Sequence, residues 1–160
     1  MEMVVPPRLR LYARLLGTYR FPATIADAAL PDCPIIWANA RFFALTGHAP
    51  EAVIGRNCRF LQVPTTSPKA RRRLRQAIAA RAPADAILEN ATADGRRFLN
   101  HLLLRPFAAD LLVGAQNDVT DWVGSADAAD DVPTTALGTA GELRTDVVGQ
   151  WVERMASAAR

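Results

Sequence analysis

Three runs in the second half of the chain, residues 84–91, 96–106 and 111–119, read as β-strands, and each sets an amide side chain among apolar ones. Asn90 closes the first run, Asn100 sits between Phe98 and Leu102 in the second, and Gln116 follows Leu112 and Gly114 in the third. Successive strand residues point to opposite faces, so Asn100 shares a face with Phe98, Leu102 and Leu104, and Gln116 shares one with Leu112 and Gly114. A sheet built from these runs gathers three amides over one pocket, each bringing a donor and an acceptor. The opposite faces, Leu99 and Leu103 on one strand and Leu111, Val113 and Ala115 on the next, also lean apolar. An antiparallel sheet with one wet face alternates with polar residues, so a second layer must cover this side. The candidates are an N-terminal helix, the C-terminal segment and a second copy of the chain.

The stretch suited to close the pocket is residues 55–62, Gly-Arg-Asn-Cys-Arg-Phe-Leu-Gln. Gly55 takes a positive φ at low cost and suits an abrupt turn into a short helix of about two turns. On such a helix Cys58 and Gln62 share a face, and Asn57 and Arg59 flank the thiol. One cysteine is thereby held among amides and cations, which makes a ligand edge.

This octet resembles the signature of LOV domains, the flavin-binding, blue-light-sensing branch of the PAS family, and other features across residues 21–119 agree with it. The resemblance implies an α+β PAS/LOV fold over 21–119, a five-stranded antiparallel sheet with helices on one face enclosing a flavin. Segments 1–20 and 120–160 flank it. It also implies a photocycle: blue light excites the flavin, the Cys58 thiol adds to flavin C4a as N5 gains a proton, and the adduct breaks thermally in the dark. Gln116, expected at the O4 and N5 edge, then has to turn its amide and relays the signal. Thr24, Asn57, Gln62, Asn90, Asn100 and Leu102 are expected against the flavin. Arg59 and Arg75, the latter 17 residues past Cys58, are the implied phosphate pair. Two guanidinium forks grip a phosphate through paired charge-assisted hydrogen bonds. FMN is the implied cofactor, with FAD or riboflavin admitted if the phosphate end is exposed.

Residues 6–20 open with prolines and space Leu9, Tyr12, Leu15, Leu16 and Tyr19 as an amphipathic helix outside the core. Residues 23–27 and 34–38 form a hairpin joined by Ala-Ala-Leu-Pro-Asp-Cys-Pro. Thr24, Ala26 and Cys33 depart from the residues usual in LOV domains, and Cys33 is read as passive in a surface turn. Helical pieces follow over 39–53, stopped by Gly47 and restarted by Pro50. Residues 63–68 are a loop, and 69–81 a helix with Leu74, Ala77 and Ile78 inward. Arg71, Arg72 and Arg73 then face largely outward, as a solvated face or, in a rival reading, a nucleic-acid contact. His48 and His101 lack metal or nucleophile-base spacing and are read as structural or surface groups. A linker over 124–141 leads to an amphipathic stripe, Leu143, Val147, Trp151 and Met155.

With 160 residues, a formal charge of +3 and half its residues hydrophobic, the chain suits one globular domain with no room for a separate effector. No apolar run approaches the roughly 20 residues of a membrane helix, and the start makes a poor signal peptide. A cytoplasmic location with Cys33 and Cys58 both reduced is expected. No acid-base pair or nucleophile-base arrangement marks an enzyme. The expected output is a homodimer, through the terminal helices and the outer sheet face, weakened by light; the sequence names no downstream protein. The alternative is a flavin-free PAS interaction module in which Cys58 is silent.

Overall fold

The computed structural model describes residues 5–108, 110–125 and 130. A 3-10 turn at Pro7–Leu9 runs into helix α1, Arg10–Gly17. Strands β1, Ala23–Asp27, and β2, Ile35–Ala38, form the first hairpin. Helix α2, Ala40–Thr46, ends at Gly47 with φ +71, the left-handed conformation that glycine adopts freely. Two 3-10 turns, Pro50–Ala52 and Cys58–Leu61, precede helix α3, Pro68–Ala80. Strands β3, Ala84–Ala91, β4, Arg97–Phe107, and β5, Leu111–Asp118, then lead to the single turn α4, Thr120–Val123.

The five strands pair antiparallel in the order β2-β1-β5-β4-β3, the α+β arrangement expected. Where bounds differ from expectation by a residue, a local bond decides. Arg96 belongs to the turn, not to β4, because its carbonyl accepts from Thr92 N at 2.9 Å. Helix α3 starts one residue early because Ser67 Oγ accepts from Ala70 N, and it stops before Arg81, which takes φ +52.

Both faces of the sheet are covered. On the outer face Leu9, Tyr12 and Leu16 of the N-terminal segment pack on Ile25, Leu103, Val113 and Ala115, and Tyr12 meets Phe107 edge-on at 5.0 Å. Of the three candidates, the N-terminal helix thus covers this part of the sheet, docked on its own domain. Buried Asn39 holds that layer in register: its Nδ2 donates to Leu16 O and Phe21 O, and its Oδ1 accepts from Ala23 N and Phe42 N. Farther along the same face Ile87, Leu99 and Val119 form a smaller cluster with Val123 of α4. The linker from 126 onward, residue 130 excepted, and the amphipathic stripe of 142–159 lie outside the described residues. On the inner face α3 sets Ala70 and Leu74 against Ala86, Leu88, Leu102 and Leu112.

Candidate functional site

Gly55 has φ +86, as its place before an abrupt turn requires. The helix that follows is shorter than expected. It is one 3-10 turn, Cys58–Leu61, capped by Asn57 Oδ1 accepting from Arg59 N at 2.9 Å. Gln62 is already extended, at φ −70 and ψ 150, and bridges Asn90 of β3. A shared α-helical face therefore does not bring Cys58 and Gln62 together; both reach the same cavity because the chain turns straight from the 3-10 turn onto the sheet edge.

That cavity, about 850 Å³, lies between the inner sheet face, α3 and the octet. Cys58, Asn57, Arg59, Gln62, Thr24, Arg75, Asn90, Asn100 and Leu102 all line it. Gln116, expected on the same wall, does not line it: it is fully buried and bonded to Asn100, which does. The three amides do converge: Asn100 Nδ2 donates to Asn90 Oδ1 at 3.0 Å and to Gln116 Oε1 at 3.1 Å. Asn90 Nδ2 donates to Glu89 O. Asn100 Oδ1 and Gln116 Nε2 are left buried without a partner among the described residues. An unsatisfied buried polar group costs about 1–3 kcal/mol, so this end of the cavity asks for a molecule with a donor for Oδ1 and an acceptor for Nε2.

The floor is flat for a reason. A Cβ on Gly114 would stand 2.9 Å from Thr24 Oγ1 and 3.4 Å from Leu102 Cδ1. Leu88, Leu102 and Leu112 add apolar walls. A planar group with a polar edge fits this combination of flat apolar floor and orphaned amides, and the flavin implied by the octet is such a group.

At the mouth Arg59 is paired with Asp32 at 2.5 Å, a partner that the sequence reading did not anticipate. Arg75 lines the cavity as expected, and so do Arg71 and Arg72, which are exposed yet turned toward the mouth; Arg73 is exposed and does not line it. All three face solvent as expected, and what the structure adds is that Arg71 and Arg72, with Arg75, also border the opening. Cys33 needs correction. It is half-buried with φ +48 and lines the cavity that holds Cys58. Its position between Pro31 and Pro34, next to Asp32, was the available signal that this turn is rigid enough to place side chains.

Burial pushes the Cys58 thiol up to about 12, with Cys33 adding to the rise, so the sulfur is a neutral thiol at ordinary pH. The histidines stand apart from this chemistry. His48 meets Phe60 edge-on, and His101 is buried on the outer sheet face. No cluster that could hold a metal ion occurs among the described residues.

Comparison with known proteins agrees with this construction. The PAS domain model matches residues 26–121. A blue-light-activated histidine kinase from Rhizobium johnstonii is 40% identical over 120 residues, covering 72% of this chain and 35% of the kinase. The chain thus spans little more than a third of this kinase, and 38% or less of the other curated kinases it matches. The solved LOV domain of a blue-light-activated histidine kinase from Erythrobacter litoralis is 40% identical with a TM-score of 0.61, over 62% of this chain and 96% of that one. The Rhodobacter sphaeroides LOV protein is 25% identical with a TM-score of 0.70, over 95% of this chain and 92% of that one. With the octet around Cys58, the amides on β3, β4 and β5, and these likenesses in one chain, the protein belongs to the LOV branch of the PAS family.

Proposed function

We propose that the chain is a blue-light sensor that binds FMN in this cavity, with Cys58 as its photoactive group. The observation that carries the reading is the pair of orphaned amide atoms, Asn100 Oδ1, on a residue that lines the cavity with Cys58, and Gln116 Nε2, buried next to the lining residues Asn100 and Gly114. A bound flavin would supply absorption of blue light and an electrophilic ring carbon to which the Cys58 sulfur adds reversibly.

The chain's own residues do the rest. Asn90, Asn100 and Gln116 would hold a flavin's polar edge, while Thr24, Gly114 and Leu102 would give its ring an apolar surface. Gln62 and Asn57 border the path outward, and Arg59 and Arg75 take the phosphate, with Arg59 exchanging Asp32 for it. Cys58 is neutral, so bond formation requires its proton to leave the sulfur. A flavin held here would supply an acceptor for that proton, and if Gln116 Nε2 then met a donor, the amide would have to turn. Turning sets Nε2 against Asn100 Nδ2, which now donates to Gln116 Oε1 at 3.1 Å and to Asn90 Oδ1 at 3.0 Å. A mismatched buried pair costs about 1–3 kcal/mol, enough to bias a two-state element nearby.

The nearest such element is the N-terminal layer. Gln116 N donates to Pro22 O at 2.9 Å, and Asn39 ties Phe21 O to Leu16 O of α1. Light then alters the docking of the terminal segments on the outer sheet face and, through that face, weakens a homodimer. The chain acts as a sensor, without substrate turnover of its own, and the cytoplasm is its proposed compartment; no described helix is long and apolar enough to cross a membrane.

The test is an absorption spectrum of the purified protein before and after a blue pulse, beside Cys58→Ala. A structured blue band that bleaches and recovers in darkness, with no reversible bleach in the variant, is expected. A colourless protein that refuses added FMN would leave the flavin-free interaction module.

A further inference from the structure

Cys33 and Cys58 are far apart in sequence and close in the fold. Ile35 N donates to Arg56 O and Gly55 N donates to Ile35 O, each at 2.8 Å, which pins residue 35 against 55 and 56. From that pin the chain running back to Cys33 lies beside the chain running on to Cys58. Asn57, the residue before Cys58, confirms the pairing: its Nδ2 donates to Asp32 O at 2.6 Å and to Cys33 O at 3.4 Å. Arg59, the residue after Cys58, pairs with Asp32 at 2.5 Å. The octet therefore clamps the turn on both sides of its cysteine. Asp32 and Cys33 hold φ of +67 and +48, a conformation that non-glycine residues keep only where surrounding contacts impose it.

A disulfide spans roughly 4.4–6.8 Å between Cα atoms, and the clamp holds Cys33 near enough for its charge to act on the Cys58 thiol. Both thiols also line the one cavity, and each is free in this structure. We infer that Cys33 and Cys58 form a redox pair, a dithiol that oxidation by low-molecular-weight disulfides converts into an intramolecular disulfide.

The exchange balances. Cys33, in the turn, loses its proton and attacks the small disulfide; its S–S bond breaks, one small thiol leaves, and a mixed disulfide stands on Cys33. Cys58 loses its proton and attacks the Cys33 sulfur, releasing the second small thiol. Two electrons and two protons pass from the pair to the two released thiols. Burial raises both thiols above the usual range, which keeps the thiolate fraction low and makes the exchange slow. The consequence for light sensing, which rests on the function proposed above, is that the oxidised chain has no thiol at position 58 and is blind until reduced.

The experiment uses the full chain. Reduced protein is incubated in the dark with 2-hydroxyethyl disulfide, quenched with N-ethylmaleimide, and read by intact mass and peptide mapping, with blue-light bleaching followed in parallel. Expected are loss of the mass of two hydrogens, a linked peptide containing Cys33 and Cys58, loss of bleaching in proportion to that species, and return of both on adding dithiothreitol. In Cys33→Ser no linked peptide forms. Two free thiols, two thiols capped separately, or a disulfide between chains would each overturn the inference. If the reduced protein never bleaches, the photochemical reading fails, while the mass result still decides the redox pair.

Discussion

Gly114 offers a sharp test of how the cavity is built. Alanine there meets no backbone penalty, and loss of glycine's freedom in the unfolded chain stabilises by about 0.4–1 kcal/mol. Against this, the new methyl would lie 2.9 Å from Thr24 Oγ1, closer than real Cβ atoms come, and 3.4 Å from Leu102 Cδ1. Thr24 is buried and β-branched, so it cannot swing away freely. Overpacking of this kind costs about 1–3 kcal/mol. The net expectation for Gly114→Ala without ligand is a loss of roughly 0.5–2 kcal/mol in urea unfolding, seen as a lower midpoint at unchanged slope. Flavin affinity should fall further, by about tenfold or more, which corresponds to about 1.4 kcal/mol, because the methyl rises from the floor on which the ring would lie. Fluorescence titration with FMN and with riboflavin measures it. Adding Thr24→Ala removes the 2.9 Å contact and should restore stability while leaving affinity low. A single variant that binds both flavins within about twofold of the parent, at an unchanged urea midpoint, would refute the account of the floor.

Arg75→Ala should weaken FMN by about tenfold or more, the order expected for a lost charge-assisted pair, and leave riboflavin affinity unchanged; equal losses for both flavins would remove Arg75 from the phosphate site. Asn39→Ala strands Ala23 N and Phe21 O in the core, while Phe42 N and Leu16 O keep backbone partners, and should cost about 2–4 kcal/mol in urea unfolding, so a loss below about 1 kcal/mol would show that the N-terminal layer is held otherwise. Burial holds His101 below the ordinary histidine range of 6.5, so the unfolded chain takes up its proton first as pH falls. Its contribution to stability is present above pH 6.5 and is lost as pH drops through the folded value. Since His48 shifts in the same direction, the readout is the difference between parent and His101→Leu, whose urea midpoint should decline less from pH 7.5 to pH 5; parallel declines would refute it.

The sheet and its amides were legible because strand periodicity reports a face directly: Asn100 and Gln116 were set on the inner side by parity alone, and Asn90 by its place at a strand end. Cys58 and its flanking residues were legible as a motif, yet their local geometry was not. An octet of this composition suits a two-turn helix, and only the bridge between Gln62 and Asn90, a contact across 28 residues of sequence, draws the chain out after one turn. Asp32 and Cys33 were missed for a related reason. Their places depend on side-chain bonds from Asn57 and Arg59, and a turn flanked by prolines looks the same in sequence whether it faces water or a cavity. The arginines of α3 were read from helix periodicity as a polar face, but long side chains at a cavity rim serve both solvent and opening.

The strand order has a temporal consequence. The first strand of the sheet pairs with the last, Ala23 opposite Ala115 and Asp27 opposite Leu111, so the centre of the sheet does not exist until nearly the whole domain has been synthesised. Closing a loop of this length costs about 4 kcal/mol in chain entropy by the logarithmic rule, before any cross-strand contact repays it. The hairpin of β1 and β2 must wait beside the ribosome with its apolar faces open, and the cavity has no floor until Gly114 arrives. Chromophore capture therefore belongs to the end of folding, and a nascent chain halted before β5 is a client for chaperones with nothing yet to hold a ligand.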